Sequence, residues 1–285
     1  MIIARHRRQV IEKIKNNAEQ KKFHQKAEIG DPVLSKEQSN ALIRKFWANK
    51  DKAPYLFFNY LLRGVFNLIT PILSTDVQFR GLENLPHSEH AFITSNHYNQ
   101  LDVLPIKKLA MRQHRRLFFI INDINLVMHF PIGLIVCNVD TIPINHDLHY
   151  LGHTLPNKIK EVLQKKAWVL VYPEQEMWFN YCKPRPLQKG AYYYAAKLQV
   201  PIISCFVEIR PRKSKEWFHR DFYKTEKIVH ILPTIYPDAN KSIIQNTKDM
   251  REKDYLQKKQ AFERAFNTKL DYHFSYSDIA GFDKK

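Results

Sequence analysis

From Asp76 onward, short apolar runs of strand length alternate with amphipathic segments of helical period, and no other feature restricts the fold as tightly. Strands are expected at 77–79, 91–95, 117–122, 134–139, 168–172, 202–207 and 227–232, and helices at 103–113, 155–165, 187–198 and 248–270. Such alternation implies an α/β domain, a mixed and mostly parallel sheet flanked by helices. Neither an internal repeat nor a low-complexity linker interrupts it. The expected organisation is a basic and amphipathic helical region over 1–75, followed by one catalytic domain over 76–285.

The N-terminal region carries the strongest surface signals. Residues 1–28 hold eight Lys/Arg against three Glu, and Val10, Ile11, Ile14, Ala18 and Phe23 fit a single helical stripe only loosely. This segment reads either as a solvated basic helix or as an arm for a phospholipid surface. After Gly30-Asp31-Pro32 the chain restarts, and Ser35 with Gln38 resembles a capping box opening a helix that contains Ala41, Leu42, Phe46 and Trp47. Residues 54–73 are the most hydrophobic stretch and long enough to span a bilayer, yet Arg63 sits at the centre between Asn59 and Asn67. A central arginine costs about 2.5–3.5 kcal/mol on insertion scales. The expectation is therefore an interfacial helix broken at Pro71, with a single-pass anchor and an ordinary core-packed helix as alternatives.

Composition narrows the partners. With 285 residues, 44% of them hydrophobic, the chain can bury a sizeable core, and its formal charge of +17 attracts polyanions. Aromatic residues cluster in runs such as Tyr55-Leu56-Phe57-Phe58-Asn59-Tyr60, which suit a lipid interface better than nucleic acid. An anionic membrane surface is the expected partner, with no nucleic acid. Cys137, Cys182 and Cys205 form no Cys-x-x-Cys pair, and the start of the chain has the reverse order of a secretory signal. Both features point to a reducing compartment, hence to peripheral attachment on the cytoplasmic face of the cell membrane.

The seven glycines are too scattered for a dinucleotide fingerprint, a phosphate-binding loop or a nucleophile elbow, and no zincin motif occurs. The best chemistry lies at 91–102, where an apolar run ends in Ser95-Asn96-His97 and Asp102 follows five residues after the histidine. Histidine is a natural general base, and a carboxylate on its far nitrogen fixes the tautomer and supports the imidazolium. Asn96 and Asn99 suit either substrate contact or the turn itself. His146, His149 and His153 recur at helical spacing as a candidate ligand trio, but Gly152 and Pro156 argue against a regular helix there, so no metal site is expected.

Asn96-His97 with Asp102 after an apolar strand, Ile142-Pro143-Ile144, Tyr172-Pro173-Glu174, Lys189-Gly190-Ala191 and Val200-Pro201-Ile202-Ile203 occur in that order. Together, over roughly 76–235, they resemble the glycerolipid acyltransferases, the family of 1-acylglycerol-3-phosphate acyltransferases. The resemblance implies direct acyl transfer: His97 deprotonates an acceptor hydroxyl, Asp102 orients His97, and backbone N–H groups near Pro173-Glu174 stabilise the oxyanion. It implies acyl-CoA or acyl carrier protein as donor, a lysophospholipid acceptor and no tightly bound cofactor. Asn96, Asn99, Glu174, His146 and Lys189 are the expected substrate-binding residues, Glu174 holding an acceptor hydroxyl or bracing its loop. Two positions depart from the family pattern: Gln175-Glu176 stand where it has Gly-Thr, and His146 stands where it has an arginine. Either the acceptor differs from lysophosphatidate or Lys183, Arg185 and Lys189 supply the missing charge. The contrasting expectation is a catalytically lapsed basic protein that keeps the fold to bind membrane or nucleic acid.

Overall fold

The computed structural model describes residues 6–30, 32–128 and 132–283, so residues 1–5 of the basic N-terminal stretch, with Asp31 and the chain end, lie outside it. Three helices come first: α1 (Arg7–Glu19), α2 (Lys36–Asn49) and α3 (Ala53–Leu73). Ser35 and Gln38 make both bonds of the capping box that starts α2. The α/β part then runs β1 (Val77–Arg80), β2 (Ala91–Thr94), α4 (Val103–Arg112), β3 (Arg116–Asn122), α5 (Ile132–Asn138), β4 (Thr141–Ile144), α6 (Leu155–Leu163), β5 (Ala167–Val171), α7 (Gly190–Leu198), β6 (Ile202–Lys215), β7 (Tyr223–Ile231) and α8 (Ile243–Phe266).

The seven strands form one sheet in the order β1-β7-β6-β2-β5-β3-β4. Strands β2 to β6 run parallel; β7 is antiparallel to β6 and carries β1 alongside it. The mixed, mostly parallel α/β expectation is the observed architecture. Because β2 lies between β5 and β6, all four of its residues are buried, which explains the uninterrupted apolar run. One face of the sheet packs on α4 and α8 through Ile93, Leu109, Phe206 and Phe262, and the other on α6 and α7 through Phe92, Ile159, Val169 and Tyr192. Gly81, at φ +80°, lets the chain leave β1 against β7: a Cβ there would stand 2.2 Å from the Ile231 carbonyl oxygen.

Several elements depart from the sequence reading. Of the run 134–139, residues 134–138 are helical, and the strand beside β3 is instead Thr141–Ile144, paired with Phe119–Asn122. A short apolar run does not distinguish a strand from a helix turn, whereas β4, as the sheet edge, accommodates Pro143. Helix α3 continues through Pro71 to Leu73, because a proline in the last turn removes only one terminal hydrogen bond. Helix α8 starts at Ile243 behind a second capping box, Ser242 with Gln245, five residues earlier than its hydrophobic pattern indicates. Residues 148–163 are continuously helical because a π turn at Tyr150–Thr154 absorbs Gly152, with the Leu155 N–H bonded to the Tyr150 carbonyl.

The basic N-terminal helix is part of the body. Val10, Ile11, Ile14 and Ala18 are buried against Trp178, Phe179, Phe222 and Ile279 in a third core, and Arg7 pairs with Glu216 at 2.7 Å. By contrast α3 turns Leu56, Phe57, Tyr60, Leu61, Leu68 and Ile72 to solvent. Among the described residues it is the one helix long and apolar enough to cross a membrane by length and composition.

One polar cluster ties α8 to the sheet centre. Asp254 accepts from Thr94 (2.7 Å), Tyr192 and Ser204, and the fully buried Lys258 binds Asp254 and the Thr94 hydroxyl (2.9 Å). Removing one partner of a buried pair strands the other charge. Lys258→Ala is expected to lower unfolding stability by about 3–5 kcal/mol, read from urea denaturation; a loss within experimental error would show that the cluster contributes nothing net.

Candidate active site

The carboxyl ends of β2 and β5, neighbours at the sheet centre, create the site. Beyond Thr94 the β2 chain turns away from β6, and the Asn96 side chain takes over its ladder: Nδ2 donates to the Val207 carbonyl at 3.0 Å and the Val207 N–H donates to Oδ1 at 2.8 Å. Asn96 is therefore buried and anchors the corner to β6. The next residue, His97, is 22% exposed and points its ring out of the corner.

Asp102 lies at the start of α4, where an aspartate ordinarily caps the helix, but it makes no side-chain cap bond. Its carboxylate turns back instead. Oδ2 accepts the Nδ1–H of His97 at 2.6 Å, the N–H of Tyr98 at 3.2 Å and that of Asn99 at 3.5 Å. With Nδ1 donating to a buried carboxylate, the lone pair of the neutral imidazole falls on Nε2. No protein group among the described residues hydrogen-bonds that nitrogen. Asn99 holds the turn, accepting from the Leu101 N–H at 3.1 Å and donating to Asn180 Oδ1 at 3.2 Å.

Tyr172, at the end of β5, stacks on the imidazole with ring centroids 4.1 Å apart and planes within 11°. Burial first, and then the charge of Asp102, push its phenol well above the ordinary tyrosine range, so it remains neutral. The ring restricts His97 to one plane and offers a π face to the imidazolium. The Tyr172-Pro173-Glu174 motif brought this residue into view, but only the pairing of β2 with β5 gives it a role.

Glu174 faces inward and braces the corner. Only 2% exposed, it accepts the Arg185 N–H on Oε1 (2.9 Å), and on Oε2 the His97 N–H (3.2 Å) and Arg185 Nε (3.2 Å) and Nη2 (2.9 Å). Arg185 is as deeply buried. It also donates to the carbonyls of Phe23 (2.9 Å), His97 (3.4 Å) and Glu176, and lies 4.5 Å over the Trp178 ring. Burial pulls its guanidinium below the usual arginine range, against which the Glu174 carboxylate acts. Lys183 is likewise committed, to Asp278 (3.0 Å), Asp271 (3.3 Å) and the His273 carbonyl (2.8 Å). Of the three cations expected to replace the arginine, two are thus structural, and Lys189, exposed at the head of α7, is the one facing solvent.

His146 is exposed beyond β4, three strands from β2 and so about 14 Å across the sheet. It belongs to the same edge of the sheet but not to the His97 cluster. The amides of Gln175 and Glu176 donate within their own turn, to the carbonyls of Tyr172 and Glu174 (both 3.0 Å), and so point no N–H outward. Within the N-terminal segment, His24 reaches the loop, its Nδ1 3.3 Å from the Glu174 carbonyl. No sequence signal marked His24 or the Glu174–Arg185 pair. Among the described residues no three His, Cys, Asp or Glu side chains converge as metal ligands, although the rings of His149 and His153 lie 4.9 Å apart.

A histidine with Nδ1 on a buried carboxylate and Nε2 open, at the carboxyl edge of a parallel sheet, is the arrangement of a general-base site in an α/β protein. Residues 76–208, which hold His97, Asp102, Tyr172, Glu174 and Arg185, match the family model described as Acyltransferase. Among solved structures, the chain is similar to the 1-acyl-sn-glycerophosphate (LPA) acyltransferase PlsC from Thermotoga maritima. The two share 15% identity over 83% of this chain and 99% of that one, with a TM-score of 0.50, a likeness of fold. No curated protein matches the sequence.

Arg185→Met leaves Glu174 buried without its countercharge. It is expected to cost about 3–5 kcal/mol of stability in urea unfolding, and Arg185→Lys, which lacks the planar fork, to recover only part of this. Wild-type stability in Arg185→Met would show that the pair does not hold the corner.

Proposed function

We propose that this protein is an O-acyltransferase that moves a fatty acyl group from a thioester to a hydroxyl of a lysophospholipid, 1-acylglycerol-3-phosphate foremost, at a membrane surface. The observation that carries this reading is the His97–Asp102 couple, open at Nε2, inside a segment that matches the acyltransferase family model. His97 takes the proton of the acceptor hydroxyl as its oxygen attacks the thioester carbonyl; the C–S bond then breaks, and the imidazolium returns the proton to the departing thiolate. The products are an ester and a free thiol, with acyl-CoA or acyl carrier protein as the donor. Asp102 holds the tautomer and faces the imidazolium, while Tyr172 fixes the plane of the ring.

A covalent acyl intermediate on Cys182 or Cys205 is disfavoured. Burial pushes the thiols of Cys182 and Cys205 up to about 12, so neither supplies a thiolate at neutral pH. The exposed Lys189 is the candidate contact for an acceptor phosphate on this edge, while Asn99 lies in the His97 turn and His146 three strands from β2. Membrane attachment is assigned to α3, whose exposed apolar face suits the headgroup layer, aided by the +17 charge at an anionic cytoplasmic leaflet. The intact histidine–carboxylate couple favours catalysis over a lapsed binding role.

His97→Ala is expected to lower thiol release from acyl-CoA with a lysophosphatidate acceptor by about 10³-fold or more, with its urea midpoint near wild type and its sedimentation with anionic vesicles retained. Normal turnover in that variant would refute the mechanism. For α3, carbonate washing of membranes is expected to release the protein; resistance would instead mean that the helix spans the bilayer.

A further inference from the structure

The described part of the molecule has a second polar concavity, at the end of the sheet opposite His97. It lies between α2, α3, the start of β3 and the end of α6, encloses about 230 Å³, and has Trp47, Tyr55, Tyr60 and Phe118 among its walls. By strand register Arg116 lies level with the residue before Ala91, so His97 is roughly 20 Å farther along the strand direction. The cavity is no part of the acyl-transfer site.

Its charge is unbalanced. Five cations line it, Lys50, Arg63, Arg116, Lys158 and Lys165, with Asp51 and Glu161 at its walls and Asp140 beneath. Asp140 is consumed by Arg116, which binds both its oxygens (2.7 and 2.5 Å), and Asn59 of α3 donates to the same carboxylate at 2.9 Å. Glu161 is held by Lys158 at 3.0 Å. Among the described residues Lys50, Arg63 and Lys165 have no carboxylate within ion-pair distance, leaving the exposed Asp51 as the one acid to offset them.

Lys50 is the most telling of the three. Its ammonium lies 4.3 Å over the Trp47 ring and makes one hydrogen bond, to the Thr141 carbonyl at 3.2 Å, although an ammonium carries three donors. Burial pulls it down to about 7; Asp140 opposes this, while Lys165, Arg116 and Lys158 add to it. A half-buried lysine with unspent donors, facing an uncompensated cluster of cations, is short of an anion.

The mouth of the cavity indicates where that anion comes from. Leu56 and Tyr60 line it and also belong to the exposed apolar face of α3, 54% and 73% exposed, and Arg63 sits one turn beyond Tyr60. A ligand whose phosphate rests among Lys50, Arg63 and Lys165 would direct the rest of its body along that apolar face. We propose that this pocket is a second, non-catalytic site that takes the phosphate of an anionic phospholipid headgroup at the membrane, beside the exposed apolar face of α3. The lipid source rests on the membrane-surface reading of α3; the phosphate chemistry does not.

The test uses the full chain and vesicles of phosphatidylcholine, alone or with either phosphatidylglycerol or oleate at matched negative charge, together with thermal melting in inorganic phosphate. Tighter binding to phosphatidylglycerol than to oleate vesicles is expected. Lys50→Met, and separately Lys165→Gln on an exposed side chain, should weaken that binding about tenfold while binding to phosphatidylcholine alone is unchanged. Equal binding to the two anionic vesicles by wild type and variants, with no melting response to phosphate, would overturn the site in favour of diffuse charge attraction. If phosphate raises the wild-type melting temperature but not that of Lys50→Met, and no vesicle preference appears, the occupant is a free anion and the lipid assignment fails. Loss of all vesicle binding with the phosphate response intact would refute the membrane reading of α3 and leave the anion site standing.

Discussion

The Glu174 carboxylate accepts four hydrogen bonds, and through them it joins the end of β5 to the end of β2, to the loop at Arg185 and, by way of Arg185, to Phe23 in the N-terminal segment. Each partner belongs to a different part of the chain, so the geometry of His97 depends on all of them being in place. Glu174 fixes the backbone of His97 and Asp102 fixes its ring. The one carboxylate accepts the main-chain N–H and the other the side-chain Nδ1–H, which leaves the imidazole little freedom except to present Nε2 outward. A buried pair of this kind adds little net stability compared with an apolar contact, but the structure collapses locally when one partner is lost. Its value here is positional.

Beneath the corner a second buried charge pair serves the scaffold. Asp254 and Lys258 lie one turn apart on α8 and hold Thr94, Ser204 and Tyr192, so the residue that ends β2 is fixed from below while Asn96 is fixed from the side by Val207. The corner thus has support on three sides, and the one open direction is toward Nε2. In contrast, the exposed face of α3 has no partner among the described residues.

Much of the fold was legible in the sequence because burial on both faces makes a parallel strand a continuous apolar run, as in Ala91–Thr94 and Ala167–Val171. The His97–Asp102 relation was legible for a similar reason, being local: five residues close one turn. What stayed hidden was non-local. Arg185 reads as an exposed cation in a Lys/Arg/Pro stretch until the chain folds it under Glu174, and α1 reads as a frayed basic helix until residues near 180 and 280 supply its apolar partners. The run 134–139 reads as a strand because length and β-branching alone do not distinguish a short helix from an edge strand. The contacts of α1 join segments more than 100 residues apart, where no periodicity signal exists.

In the proposed reaction Asp102 sets the tautomer of His97 and faces its imidazolium without touching substrate. Steady-state kinetics of Asp102→Asn against wild type, with an acyl thioester and a lysophospholipid, separates these roles. The account predicts that kcat falls by about 10³–10⁴-fold, as for other carboxylate-oriented histidines, while KM for the acceptor stays within about threefold. A kcat near wild type, or a loss confined to KM, would contradict it.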